Sequence, residues 1–96
     1  MANFGHAADL DAANTARLHH IFDARLGHVP DSVANRQMLI NTVNRSNYLG
    51  LDTHGNRWYA SIRPDGKQIW VRVRNGEIIN GGVNDIPKQW TPTGLK

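Results

Sequence analysis

The chain has 96 residues, is 40% hydrophobic, carries a formal net charge of +3 and contains no cysteine. That length implies one domain, 1–96, with a single modest core. The missing cysteines exclude a disulfide framework and any thiolate metal site. No apolar run approaches the roughly 20 residues of a membrane helix, and the opening MANFGHAADLDAA lacks the apolar stretch of a signal peptide.

In chain order, residues 1–9 read as a loose N-terminus and 10–47 as helical. A first helix is expected from Asp9 or Asp11 to Leu26, because Leu10, Ala13, Arg17, Leu18, Ile21, Phe22 and Leu26 give spacings of three and four on one stripe, Arg17 being its polar member. Gly27 suits the position after a helix end, where φ is often positive, and His28-Val29-Pro30 is expected to be extended. Asp31 or Ser32 would cap a second helix running to about Asn47, with Val33, Leu39, Ile40 and Val43 as its buried side.

Residues 48–84 read as a four-stranded antiparallel meander, and 85–96 as a tail with two prolines. Three turn signals divide the meander: His54-Gly55, Asp65-Gly66 and Asn75-Gly76. If Asp65-Gly66 is a two-residue turn, Tyr59 faces Arg72 and Trp58 faces Val73. Alternation then gives an apolar face of Trp58, Ala60, Ile62, Ile69, Val71 and Val73, and an opposite face of Arg57, Tyr59, Ser61, Arg63, Gln68, Trp70, Arg72 and Arg74. Arg74 is expected opposite Glu77, and the Gly81-Gly82 pair is expected to form a bulge. The fold class is therefore α+β, with two helices packed on one face of the meander. Between Arg57 and Arg74, five cations stand against Asp65 alone, which favours a polyanionic partner.

Several pieces of the chain carry a family resemblance: His-Ile-Phe at 20–22, Gly-His-x-Pro-Asp at 27–31, Gly-Asn-x-Trp-Tyr at 55–59, Asp-Gly-x-Gln-x-Trp at 65–70 and Asn-Gly-Gly-x-Asn at 80–84. Over residues 17–84 the sequence resembles the C-terminal toxin domains of bacterial polymorphic toxins, which end contact-dependent inhibition, haemagglutinin-like and Rhs-type effectors. Ser32 departs from the threonine expected after Asp31 but keeps the hydroxyl. The resemblance implies a barnase–EndoU–colicin–RelE-like fold that cleaves RNA, with tRNA as the expected substrate, on the open face of its sheet. It also implies secretion within a larger effector, action in the cytoplasm of a target bacterium, and neutralisation by a cognate immunity protein. No cofactor, metal or membrane is called for.

Cleavage of RNA without a metal needs a base for the ribose 2′-OH, an acid for the leaving 5′-oxygen, and donors for the charge on phosphorus. Histidine suits the first two roles and arginine the third. The catalytic candidates are His20, His28, Tyr59 and Arg72; the substrate-binding candidates are Arg57, Ser61, Gln68, Trp70, Arg74 and Asn84. His19 reads as a surface residue, and His6 and His54 as incidental. Each candidate also has a plainer reading: His20 and His28 as hydrogen-bonded structural residues, Trp70 packed under the tail beside Trp90, Arg74 paired with Glu77, and Asn84 tying off the glycine pair. Two other functions fit the residues less well, a metal-dependent nuclease of the His-Asn-His type acting on DNA and a module that binds nucleic acid or protein without cutting it.

Overall fold

The computed structural model describes residues 5–90. It contains two α-helices, α1 (Thr15–Ile21) and α2 (Val33–Thr42), a 3₁₀ turn at Arg45–Asn47, and four strands: β1 (Tyr48–Leu51), β2 (Arg57–Ile62), β3 (Gln68–Arg74) and β4 (Glu77–Asn84). The strands form one antiparallel sheet in the order β1-β2-β3-β4. The chain is thus α+β with a four-stranded meander, as expected.

Both helices are shorter than the apolar spacing suggests. Asn14 caps α1 by accepting a hydrogen bond from the Arg17 amide, and the chain leaves the helix at Phe22 in an extended conformation. Phe22 then bridges Val29, and Leu26 lies exposed in the connection. Ser32 caps α2, its hydroxyl accepting from the Asn35 amide. Leu39 and Val43 are buried, whereas Val33, in the first turn, points to solvent.

The loose N-terminus is a correction among residues 5–9. Asp9 bridges Glu77 in parallel, with its amide donating to the Gly76 carbonyl and its carbonyl accepting from Ile78. Ala8 is buried in the core. Residues 1–4 lie outside the described residues.

The register of the sheet differs from the expectation at two of its three turns. Asn75-Gly76 is a two-residue turn with positive φ at both positions, and Arg74 faces Glu77 as the dipeptide predicts. The other two loops have three residues. Arg63 donates to the Lys67 carbonyl around Pro64-Asp65-Gly66, and Asp52 donates to the Asn56 carbonyl around Thr53-His54-Gly55. Pro64 is the reason at the central turn. A two-residue loop would require Pro64 to donate an amide hydrogen to Lys67, and proline has none. The turn therefore closes one residue earlier, with Gly66 at φ +85° in the left-handed position.

That shift of one residue turns β2 over. Trp58 faces Arg72, Ala60 faces Trp70 and Tyr59 faces Val71. One face of the sheet now carries Tyr59, Val71, Val73 and Ile78, which form a buried cluster with Leu18, Ile21, Phe22, Leu39 and Val43. The other carries Trp58, Trp70 and Arg72, with Leu49 and Trp90 packed on the two indoles. The bulge in β4 sits at Ile79 rather than at the glycine pair, because Val73 faces Ile78 while Arg72 faces Asn80. The glycines serve close packing instead. A Cβ on Gly81 would meet Leu39 at 3.1 Å, and one on Gly82 would sit 2.0 Å from the Gly27 carbonyl oxygen.

Candidate functional site

The β2 inversion separates residues that the sequence reading put together. Tyr59 is fully buried on the helix-side face, 2.8 Å from His6 Nδ1 through its hydroxyl and 5.4 Å from the Tyr48 ring. Arg72 lies on the opposite face, so no cleft joins the two side chains. Burial raises the Tyr59 pKa, the wrong direction for a phenol acting as an acid near neutral pH. Ser61 and Arg57 turn with Tyr59. Arg57 donates to the Gly5 carbonyl, and Ser61 faces Ile69. His6 is tied into this cluster and is not incidental. Partial burial, then Arg57 and Arg45, hold its pKa below the ordinary histidine value. Nothing in the local sequence marks it.

Three further candidates are occupied in holding the tail. Gln68 is buried, donates through Nε2 to the Lys88 carbonyl and accepts from the Lys88 amide and from Asn84 Nδ2. Asn84 is spent on that bond. Trp70 is buried, stacks near Trp58 with centroids 5.8 Å apart, and is met edge-on by Trp90. A nucleobase has no open face of Trp70 to stack on. Arg74 donates through Nε to Asn56 Oδ1, while Glu77 pairs with Arg17, so the expected Arg74–Glu77 pair is not formed.

What remains on the open face is Arg72 with its surroundings. Its guanidinium carbon lies 5.4 Å from the centroid of the Trp58 ring, and its Nε is buried without a hydrogen-bond partner. Burial lowers its pKa and Arg74 adds to that, against the opposing attraction of Asp52. Asp52 itself is buried. Its own burial disfavours the charge, but donors from Trp58 Nε1, the Asn56 amide and side chain, and the His54 amide outweigh that and hold its pKa well below the usual carboxylate range. The carboxylate therefore fixes the indole on which Arg72 rests. The His54-Gly55 turn signal sets Asp52 opposite Arg57, but Leu51 faces Arg57 and Asp52 turns inward to cap its own loop, as an aspartate followed at the fourth position by asparagine can do.

Two histidines lie at and after the end of α1, and the charge of Arg72 reaches the first of them. His20, at the end of α1, is largely exposed; its pKa is lowered first by the partial burial of its ring and then by Arg25, His28, Arg72 and Arg17. His28 follows Gly27 across the β4 edge. Its ring stands edge-on to Trp70 at 5.6 Å, and its Nδ1 lies 2.8 Å from the Ile21 carbonyl oxygen. A carbonyl only accepts, so Nδ1 carries the proton and Nε2 is left for other work. Asn80 faces Arg72 across the strands and accepts from the Gly81 amide. Of the predicted catalytic residues, His20 feels the charges of His28 and Arg72, while Tyr59 lies on the opposite face of the sheet.

Among the described residues, no three His, Cys, Asp or Glu side chains gather to hold a metal ion. None of the helices formed by the described residues is long and apolar enough to cross a membrane. Compared with protein-family models, with curated proteins and with solved structures, the chain matches none of them.

Proposed function

We propose that the protein is an endoribonuclease that cleaves RNA without a metal ion, by attack of the ribose 2′-OH on the adjacent phosphorus. The single observation that carries this reading is Arg72: a guanidinium resting on an indole, with a buried and unbonded Nε, in electrostatic reach of His20. The Nε is too enclosed for a phosphate oxygen to reach; such an oxygen would pair with the terminal nitrogens of the guanidinium fork in a charge-assisted bond.

His20, favoured in its neutral form by partial burial and then by the cations around it, takes the 2′-OH proton as the O2′–P bond forms. His28, in its imidazolium form with Nδ1–H held by the Ile21 carbonyl, gives its Nε2 proton to the 5′-oxygen as the P–O5′ bond breaks and is left as the neutral Nδ1–H tautomer. Arg72 stabilises the charge on the non-bridging oxygens. The products are a 2′,3′-cyclic phosphate and a 5′-hydroxyl. Tyr59, Trp70, Gln68, Ser61 and Asn84 take no part in these steps.

The resemblance of residues 17–84 to polymorphic-toxin domains supports an antibacterial role in the cytoplasm of a target cell, with tRNA as substrate and an acidic immunity protein covering the Arg72 rim. In that reading the fold is of the barnase–EndoU–colicin–RelE-like kind, with the helix-side core behind the sheet and the catalytic rim on its other face. The test is incubation with total tRNA in EDTA. Cleavage that survives chelation and leaves cyclic phosphate ends is expected, and Arg72→Ala should abolish it. Cleavage that requires a divalent ion, or RNA binding with no cleavage, overturns the proposal.

A further inference from the structure

We infer that Trp70 and Gly82 are positioning residues for His28, acting on the backbone that carries it. The inference rests on the reading of His28 as the acid in RNA cleavage.

The connection between α1 and α2 has to pass from the helix-side core to the face of the sheet that carries Trp70. It does so over β4, and the approach is too close for any side chain. A Cβ on Gly82 would fall 2.0 Å from the Gly27 carbonyl oxygen and 2.8 Å from His28 Cα. Gly82 therefore sets how near the imidazole-bearing backbone lies to the sheet. Its cross-strand neighbour is Trp70, whose Nε1 donates to the same Gly27 carbonyl at 2.9 Å. The edge contact of the Trp70 ring with the His28 ring then limits the rotation of the imidazole. The third restraint is the Nδ1–H bond to the Ile21 carbonyl, which sets the tautomer. Gly27 itself has φ +82°, a conformation that side chains other than glycine disfavour. One peptide is thus gripped from below by a missing side chain and from the side by an indole N–H. Trp70 belongs to the site through this grip and touches no substrate.

The experiment uses the 96-residue chain with Trp70→Phe, which keeps an aromatic ring and removes only the donor and part of the ring area. Nitrogen chemical shifts of the His28 ring report its tautomer, and ring-to-ring proton contacts report its placement against residue 70. RNA cleavage is followed in parallel. The expected result is loss of the single tautomer together with a fall in kcat of about 100-fold, the scale for a misplacement near 1 Å, while KM changes little. Gly82→Ala should do the same. An unchanged His28 tautomer and unchanged kcat in Trp70→Phe overturn the inference. The two failures are separable: if the parent protein cleaves no RNA yet Trp70→Phe frees the His28 ring, the catalytic reading falls and the positioning stands. Hydrogen exchange in the unmodified protein gives a check that does not depend on a variant's folding. The Trp70 indole N–H should be protected, and free exchange of that proton overturns the inference.

Discussion

Arg72 lies over the ring of Trp58, its cross-strand neighbour, with 5.4 Å from guanidinium carbon to ring centroid. The indole is itself fixed by Asp52 through a 2.9 Å bond from Nε1. A buried carboxylate, an indole and a guanidinium therefore form one stack, and the cation at its outer end has an unsatisfied donor. Arg72→Ala should reduce RNA cleavage by about 100- to 1,000-fold, the scale of losing one donor to the developing charge. Arg72→Lys should rescue little of it, since an ammonium lacks the planar fork. Initial rates on a short RNA, with thermal melts to confirm the fold, decide this.

Tyr59→Phe separates the inverted register from the expected one. With Tyr59 on the helix-side face, the variant should cleave RNA at the parental rate. It loses the hydroxyl's interactions with His6 and Arg57, costing about 1 kcal/mol of stability. A large fall in kcat would mean that the phenol reaches the substrate after all.

The pH dependence of kcat/KM reports the free enzyme's base and acid. The His20 pKa is lowered, so the neutral base persists below the ordinary histidine value of about 6.5. Activity should therefore hold through pH 6.5 on the acid side and decline only as the pH falls through the lowered value. Removing a nearby cation with Arg25→Gln should move that acid limb upward. An acid limb above pH 6.5 in the parent protein would assign the base elsewhere.

Asp52 gives a stability prediction with a definite sign. Its folded pKa is depressed below the unfolded value, so its contribution is fully present above about pH 4 and is lost as the pH falls through the folded value. Asp52→Ala leaves the Trp58 indole N–H and the Asn56 side chain without their acceptor. It should cost about 2–3 kcal/mol at neutral pH, and much less of that difference should remain in strong acid. Denaturant melts of both proteins at several pH values measure it.

How much of this was legible in the sequence depends on which turn is considered. Asn75-Gly76 has an unambiguous two-residue signal, and its hairpin has the expected register. Asp65-Gly66 looks alike, but Pro64 cannot close the narrow pair that a two-residue loop needs. That single missing amide hydrogen decides which way Tyr59 and Trp58 point. The face of β3 carrying Trp70, Arg72 and Arg74 was readable, because alternation within one strand does not depend on a neighbour's register. His20 was singled out by its place beside Leu18 and Ile21 and His28 by the rigid piece after Gly27, but the close passage of that backbone over β4 leaves no periodic trace. The small size of residue 82 is its one mark in the sequence, and it reads equally well as a bulge. Helix ends were overrun for a local reason: Asn14 caps α1 later than Asp9 or Asp11 would, and extended geometry at Phe22 stops it early.

The grip of Gln68 on the Lys88 backbone bears on where this chain can be shortened. Residues 85–89 are exposed, and the strap is held by the Gln68 side chain, by the ring of Trp90 and by the surface pair of Asp85 with Lys67. Clipping the polypeptide after Asn84 would release these fastenings and bare two neighbouring indoles to water. A fragment ending there should self-associate, whereas one that retains Trp90 keeps its tryptophans covered.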